Sequence, residues 1–229
     1  MLRTTLLTLL LTSFFTTSVF SQKILLEDDF NDNRNGWRLQ HDSSFFVDIK
    51  DGVLHIEKFE KNFISRGCLW YNKIIPGLNT LNNFSITLYA KFLHGDDVAD
   101  VIDLQWGENQ RMADGRVASS LYQLTLMLRS KVKLELFNLK WTYITEEELP
   151  SEWMTTFNPR QLNKYELVQK DSILTFRIND QEVLKQLYTP IAGNSIGIQQ
   201  CLKAAWEIDK IVIRQDIATP KPAPEVVKN

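Results

Sequence analysis

The feature that most constrains this chain is a period-two alternation of apolar and polar residues, repeated along most of its length and broken by short polar turns. Phe84, Ile86, Leu88 and Ala90 alternate with Ser85, Thr87, Tyr89 and Lys91 before Gly95-Asp96-Asp97 interrupts the run. Ile102, Leu104 and Trp106 then alternate with Asp103 and Gln105, and Tyr122, Leu124, Leu126 and Leu128 with Gln123, Thr125 and Met127. Successive strand residues point to opposite faces, so each run has one side to bury and one side to present. The pattern recurs from Val132 to Tyr143, from Lys164 to Gln169, from Ile173 to Ile178, and in a closing pair, Ile196 to Gln200 and Ala205 to Arg214. Asn179-Asp180 reads as a hairpin turn. One stretch departs from the pattern. Glu146 to Arg160 reads as an irregular or helical connection, with Thr145-Glu146-Glu147-Glu148 opening a short helix that Pro150 limits. The expectation is an all-β, antiparallel fold of roughly 200 residues in one domain.

The two ends differ from this body. Arg3, the apolar run from Leu6 to Phe20, and Val19 and Ser21 ahead of a cut read as an export signal over residues 1–21. The run is too short and too rich in threonine for a bilayer, which needs about 20 predominantly apolar residues. No transmembrane span is therefore expected after cleavage, an uncleaved anchor being the alternative. The β domain is assigned to residues 22–215, and the stretch containing Thr219-Pro220-Lys221-Pro222-Ala223-Pro224 makes 216–229 a proline-rich tail. Export implies a secreted, periplasmic or cell-surface protein. In that setting Cys68 and Cys201 admit a disulfide closing a very long loop, or two buried free thiols, and the sequence leaves both open.

Charge excludes partners more than it suggests them. A formal net charge of -2 and the lack of a polybasic stretch give no footprint for nucleic acid or an anionic membrane. No nucleophile elbow or phosphate-cradling glycine loop is present. His41, His55 and His94 are scattered and the cysteines far apart, which disfavours zinc and a thiol catalyst.

The polar parity of three successive strands carries Tyr89, Lys91, Asp103, Gln105, Gln123 and Thr125, while Phe137, Leu139, Trp141 and Tyr143 share one strand face and Trp153 sits in the long connection. Aromatic faces that stack on sugar rings, together with amides that hydrogen-bond hydroxyls, are what a glycan needs. The candidate carbohydrate-binding set is Tyr89, Gln105, Gln123, Trp141, Tyr143 and Trp153. Packing in the core is the competing role for aromatics, and it is the one assigned to Trp37, Trp106 and Trp206.

The order of several short motifs carries a resemblance. Asp28-Asp29-Phe30-Asn31-Asp32-Asn33-Arg34-Asn35-Gly36-Trp37, Ile49-Lys50-Asp51-Gly52-Val53-Leu54, Asn83-Phe84-Ser85-Ile86, Asn163-Lys164-Tyr165 and Phe176-Arg177-Ile178-Asn179-Asp180 follow one another, closed by Gly197-Ile198 and Trp206-Glu207-Ile208-Asp209-Lys210-Ile211-Val212-Ile213. Taken in order they resemble secreted bacterial domains of the concanavalin A-like lectin/glucanase superfamily, of the glucanase or laminin G-like kind. The resemblance implies a jelly-roll β-sandwich of two curved sheets whose concave face, in many relatives, holds carbohydrate. It does not imply one activity.

A glucanase of that family carries Glu-x-Asp-x-Glu or Glu-x-Asp-x-x-Glu on one strand. Glu207-Ile208-Asp209 begins such a motif, but Lys210, Ile211 and Val212 follow and the third acid is missing. Asp103 with Glu135 is the remaining candidate pair. The expectation is therefore a non-catalytic protein that binds a glycan or polysaccharide. A glycoside hydrolase or lyase with unplaced acids and a structural or adhesion module binding protein are the alternatives. No cofactor is expected except, as in many relatives, a structural calcium ion. It would draw on Asp28-Asp29-Phe30-Asn31-Asp32-Asn33 and Asp209 if the first and last strands pair.

Overall fold

The computed structural model describes residues 22–59, 68–96, 100–111, 117–128, 131–138, 140–149 and 157–216. The export signal, the tail from residue 217 onward, Leu139 and Trp153 lie outside these residues. The described chain is built of strands: β1 (Gln22–Asp28), β2 (Gln40–His41), β3 (Phe45–Lys50), β4 (Val53–Lys58), β5 (Leu69–Ile74), β6 (Phe84–Gly95), β7 (Asp100–Arg111), β8 (Val117–Met127), β9 (Lys131–Asn138), β10 (Lys140–Glu148), β11 (Asn163–Lys170), β12 (Ile173–Ile178), β13 (Gln181–Leu187), β14 (Ser195–Gln200) and β15 (Ala204–Asp216). A nine-stranded sheet runs β13-β12-β11-β6-β15-β4-β3-β2, with β1 also paired to β15. A six-stranded sheet runs β10-β9-β8-β7-β14-β5. Every pairing is antiparallel, and the two sheets make the β-sandwich that alternation and resemblance imply.

The apolar parity of each sheet forms the core, with Ile86, Leu88 and Phe92 of β6 and Ile208 of β15 against Leu104, Leu124, Leu126 and Leu134. Trp37, Trp106 and Trp206 are buried within it, as expected from parity or from their place in the resemblance. Each large apolar side chain removed from water contributes on the order of 1.5–3 kcal/mol, so the alternation is itself the main source of stability. Two-residue hairpins join neighbours where the chain can adopt positive φ. Asn179 (φ 49°) and Asp180 (φ 68°) turn β12 into β13, and Asp171 (φ 50°) with Ser172 (φ 66°) turns β11 into β12.

Three expectations are corrected. Glu146, Glu147 and Glu148 are not the start of a helix; they end β10, opposite Lys133, Val132 and Lys131 of β9. Lys131 Nζ lies 2.8 Å from Glu146 and 3.6 Å from Glu148, so opposite charges facing across the ladder make an acidic run acceptable in a strand. Nor is Val132 to Tyr143 one strand. The chain reverses between Asn138 and Lys140, which are paired, without glycine or proline to announce the turn. Finally, β14 and β15 are not partners: β14 lies between β7 and β5, and β15 between β6 and β4.

Cys68 and Cys201 are joined as a disulfide across a sequence separation of 133 residues. The bond adjoins the start of β5 and the end of β14.

Candidate functional site

The outward parity of the six-stranded sheet forms rows that cross the strands. One row runs from Asn72 on β5 through Gly197, Gln105, Gln123 and Glu135 to Tyr143 on β10. In the adjacent row Trp70 pairs with Gln199, and Asp103 with Thr125, which in turn faces Lys133 and then Glu146. The strands of Trp70 and Tyr143 are the two edges of this sheet, five spacings of about 4.8 Å apart, or roughly 24 Å.

The centre of the face is a hydrogen-bonded network. Gln105 Nε2 donates to Gln123 Oε1 at 2.7 Å and to Gln199 Oε1 at 3.2 Å. Gln123 Nε2 donates to Asp103 Oδ2 at 3.1 Å and to Thr125 Oγ1 at 3.2 Å, and Thr125 Oγ1 donates to Asp103 Oδ1 at 3.4 Å. Asp103 and Gln105 are each 1% exposed, and Gln105 Oε1 has no hydrogen-bond partner among the described residues. A buried acceptor left unmatched costs about 1–3 kcal/mol. The ends of the face are open, with Trp70 38% and Tyr143 55% exposed. Beside Trp70, a Cβ on Gly197 would stand 1.7 Å from Asn72 Oδ1, so the glycine is what lets the Asn72 amide lie across β14.

The six residues expected to bind carbohydrate do not form one site. Gln105 and Gln123 lie in the buried network, and Tyr143 is at the exposed edge of its row. Trp141 pairs with Phe137 in the β9–β10 ladder, its side chain being outside the described residues, as is all of Trp153. Tyr89 is misplaced by sequence reasoning. It belongs to β6 of the nine-stranded sheet, paired with Lys164 and Lys210, and so lies with Lys91 on the opposite side of the sandwich. Polar parity identifies an outward side chain without saying which sheet its strand joins. Trp70 was missed, although Leu69, Tyr71 and their alternation with Trp70 and Asn72 carry the same signal that singled out Gln105.

The carboxylates proposed for chemistry are separated. Asp103 on β7 and Glu135 on β9 have β8 between them, and Gln123 of that strand bonds Asp103 and pairs with Glu135. Glu135 holds Lys133 Nζ at 3.0 Å. Glu207 faces out from the other sheet, 2.6 Å from Lys91 Nζ and 3.8 Å from His55 Nδ1. His55 and His94, scattered in sequence, both approach the Glu57 carboxylate, at 3.3 and 3.4 Å, and His41 lies 3.6 Å from Asp48. Among the described residues no group of three His, Cys, Asp or Glu side chains is arranged to hold a metal ion.

Several of the residues expected to hold calcium are engaged by other protein groups. The first and last strands do pair, β1 with β15. The Asp28 carboxylate, however, accepts the Phe30 amide at 2.9 Å, Asn35 Nδ2 at 2.7 Å and the Trp37 indole at 2.6 Å. Asp29 and Asp32 are ion-paired to Arg34 at 3.7 and 3.3 Å, and Asp209 projects from a bulge in β15. Asp28 is committed to N–H donors and the loop is a turn built around it, while Asp29 and Asp32 stand exposed beside Arg34.

No family model matches the sequence, and no curated protein matches it. Solved structures do resemble it. A protein of unknown function with a galectin-like fold from Bacillus subtilis is 11% identical, with a TM-score of 0.62 over 86% of this chain and 97% of its own. The catalytic domain of an endo-1,3-beta-glucanase (laminarinase) from Thermotoga petrophila is 11% identical, with a TM-score of 0.57 over 87% of this chain and all of its own. The kappa-carrageenase from Pseudoalteromonas carrageenovora, in complex with an oligotetrasaccharide of kappa-carrageenan, is 12% identical, with a TM-score of 0.54 over 90% of this chain and all of its own. Identities this low establish the shared fold and nothing finer.

Proposed function

We propose that this chain is a carbohydrate-binding protein, acting outside the cytoplasm, that holds a glycan or polysaccharide against the outer face of its six-stranded sheet. The observation that carries the reading is the make-up of that face: a fixed amide and carboxylate network at its centre, an accessible indole at one edge and an accessible phenol at the other. Aromatic rings supply apolar surface to the C–H faces of a sugar, and oriented amides and carboxylates meet its hydroxyls. Because the network is almost wholly buried, direct contact falls to Trp70, Asn72, Glu135 and Tyr143. Gln105 and Gln123 hold their neighbours in place through the network. The glucanase and the carrageenase held with its tetrasaccharide support the reading, since the same sandwich serves carbohydrate in both. The N-terminal run over residues 1–21, read as an export signal, supports a site outside the cytoplasm.

Hydrolysis is the weaker reading. A retaining mechanism needs carboxyls about 5–5.5 Å apart and an inverting one about 6.5–9.5 Å. Either mechanism needs one carboxyl to act as acid and the other as nucleophile or base, whereas Asp103 accepts the Gln123 amide and Glu135 is ion-paired with Lys133. A glycan array followed by calorimetry with the best ligand tests the proposal. Binding that weakens roughly tenfold in Trp70→Ala or Tyr143→Ala supports it, a change of about 1.4 kcal/mol. A protein that binds no glycan, or binds equally well in both variants, overturns it. Release of reducing sugar, lost in Glu135→Gln, would establish the hydrolase instead.

A further inference from the structure

We infer that the Cys68–Cys201 disulfide is a positioning element of this face, holding the edge strand β5 so that Trp70 and Asn72 are presented to a ligand; the inference rests on the glycan-binding reading above. Among the described residues β5 is hydrogen-bonded to one strand, β14. The last register pair of that ladder is Leu69 with Gln200, and the next residue on each strand is the cysteine, so the disulfide is a covalent rung continuing the ladder. One pair inward, Trp70 faces Gln199, whose Oε1 accepts the Gln105 amide at 3.2 Å. Disulfide, indole and central network are therefore successive positions along two strands. On the other side of β5, Arg38 Nη2 donates to the Trp70 carbonyl at 3.3 Å.

Edge strands open locally before the sandwich unfolds, because they are bonded along one side. Leu69 and Tyr71 are buried and keep β5 attached to the core, but both point away from the face that carries Trp70 and Asn72. The bond thus does two separable things. It restricts the unfolded chain by closing a long loop, which acts on the whole domain. It also prevents fraying of the β5 end that bears Trp70, which acts on the site.

The full chain carrying Cys68→Ser and Cys201→Ser separates them. Amide hydrogen exchange on the unliganded protein is expected to quicken at least tenfold in Leu69–Ile74 while β8 and β15 keep their protection. Affinity for the glycan found on the array is expected to fall at least fivefold at a temperature where the variant is folded. Trp70→Ala, worth about tenfold in the parent, is expected to add less than twofold in the serine variant, because an indole that is no longer positioned contributes little. Exchange that rises evenly over both sheets, unchanged affinity, or independent effects of the two changes would overturn the inference. If the serine variant does not fold, the same exchange is read on folded parent protein reduced by a dithiol, where opening confined to β5 supports the inference and no local opening overturns it. If the parent binds no glycan, the binding reading fails by itself, and local or uniform exchange still decides whether the bond positions Trp70.

Discussion

Gln105 and Gln123 face each other across β7 and β8 with 2.7 Å between the Gln105 amide nitrogen and the Gln123 carbonyl oxygen. Because Gln105 spends both amide protons on neighbouring glutamines, Gln105→Leu strands the carbonyl oxygens of Gln123 and Gln199 in a buried setting. The variant is expected to lose about 1–3 kcal/mol in urea unfolding. Gln105→Glu keeps the volume but provides no N–H donor and adds a charge close to Asp103, and is expected to lose more.

Trp70 and Tyr89 are both half-exposed aromatics on outward parity, but they belong to opposite sheets. Trp70→Ala is expected to weaken glycan binding by about 1–2 kcal/mol, the order of stacking plus area lost. Tyr89→Ala is expected to leave affinity unchanged. Titration calorimetry with one ligand checks both, and equal losses would mean that the wrong sheet has been assigned.

Gly197→Ala places a methyl group where the Asn72 side chain lies. Asn72 is exposed and the clash is with the end of its side chain, so melting temperature should change little. Binding should fall by as much as it does in Asn72→Ala, and the two substitutions combined should be no worse than either alone.

Asp28→Ala removes an acceptor for three N–H groups in a buried turn. It is expected to cost about 3 kcal/mol or more in chemical unfolding, since bonds to a buried charge are each worth about 1.5–3 kcal/mol. The same geometry predicts no change in melting temperature on adding calcium or a chelator. A stabilisation that grows with calcium concentration would contradict the assignment of Asp28 to N–H donors.

Local pattern carried a large share of the fold. The runs from Phe84 to Ala90, from Ile102 to Trp106 and from Tyr122 to Leu126 are strands with the buried faces that their alternation assigns, and Asn179-Asp180 turns as its residue types require. The errors were of two kinds. The chain reverses between Asn138 and Lys140 without glycine or proline, and Glu146 to Glu148 extend a strand because Lys131 and Lys133 oppose them; both depend on a partner strand. In the candidate site, the outward parity of Gln105, Gln123, Tyr143 and Trp70 was legible in the alternation, whereas the separation of Tyr89 from them was not, because it depends on which sheet β6 joins.

By itself the sequence determined that the chain is all-β, many of the strands from Phe84 onward, their apolar sides and the Asn179-Asp180 turn, because these follow from local backbone preferences and a two-residue repeat. Tertiary structure alone decided which strands became neighbours, placing β6 in one sheet and β7 in the other, and bringing residue 68 to residue 201. The physical reason is that alternation specifies a face to be buried but is indifferent to what buries it, while neighbours are chosen by backbone hydrogen bonding and core packing between segments far apart in the chain.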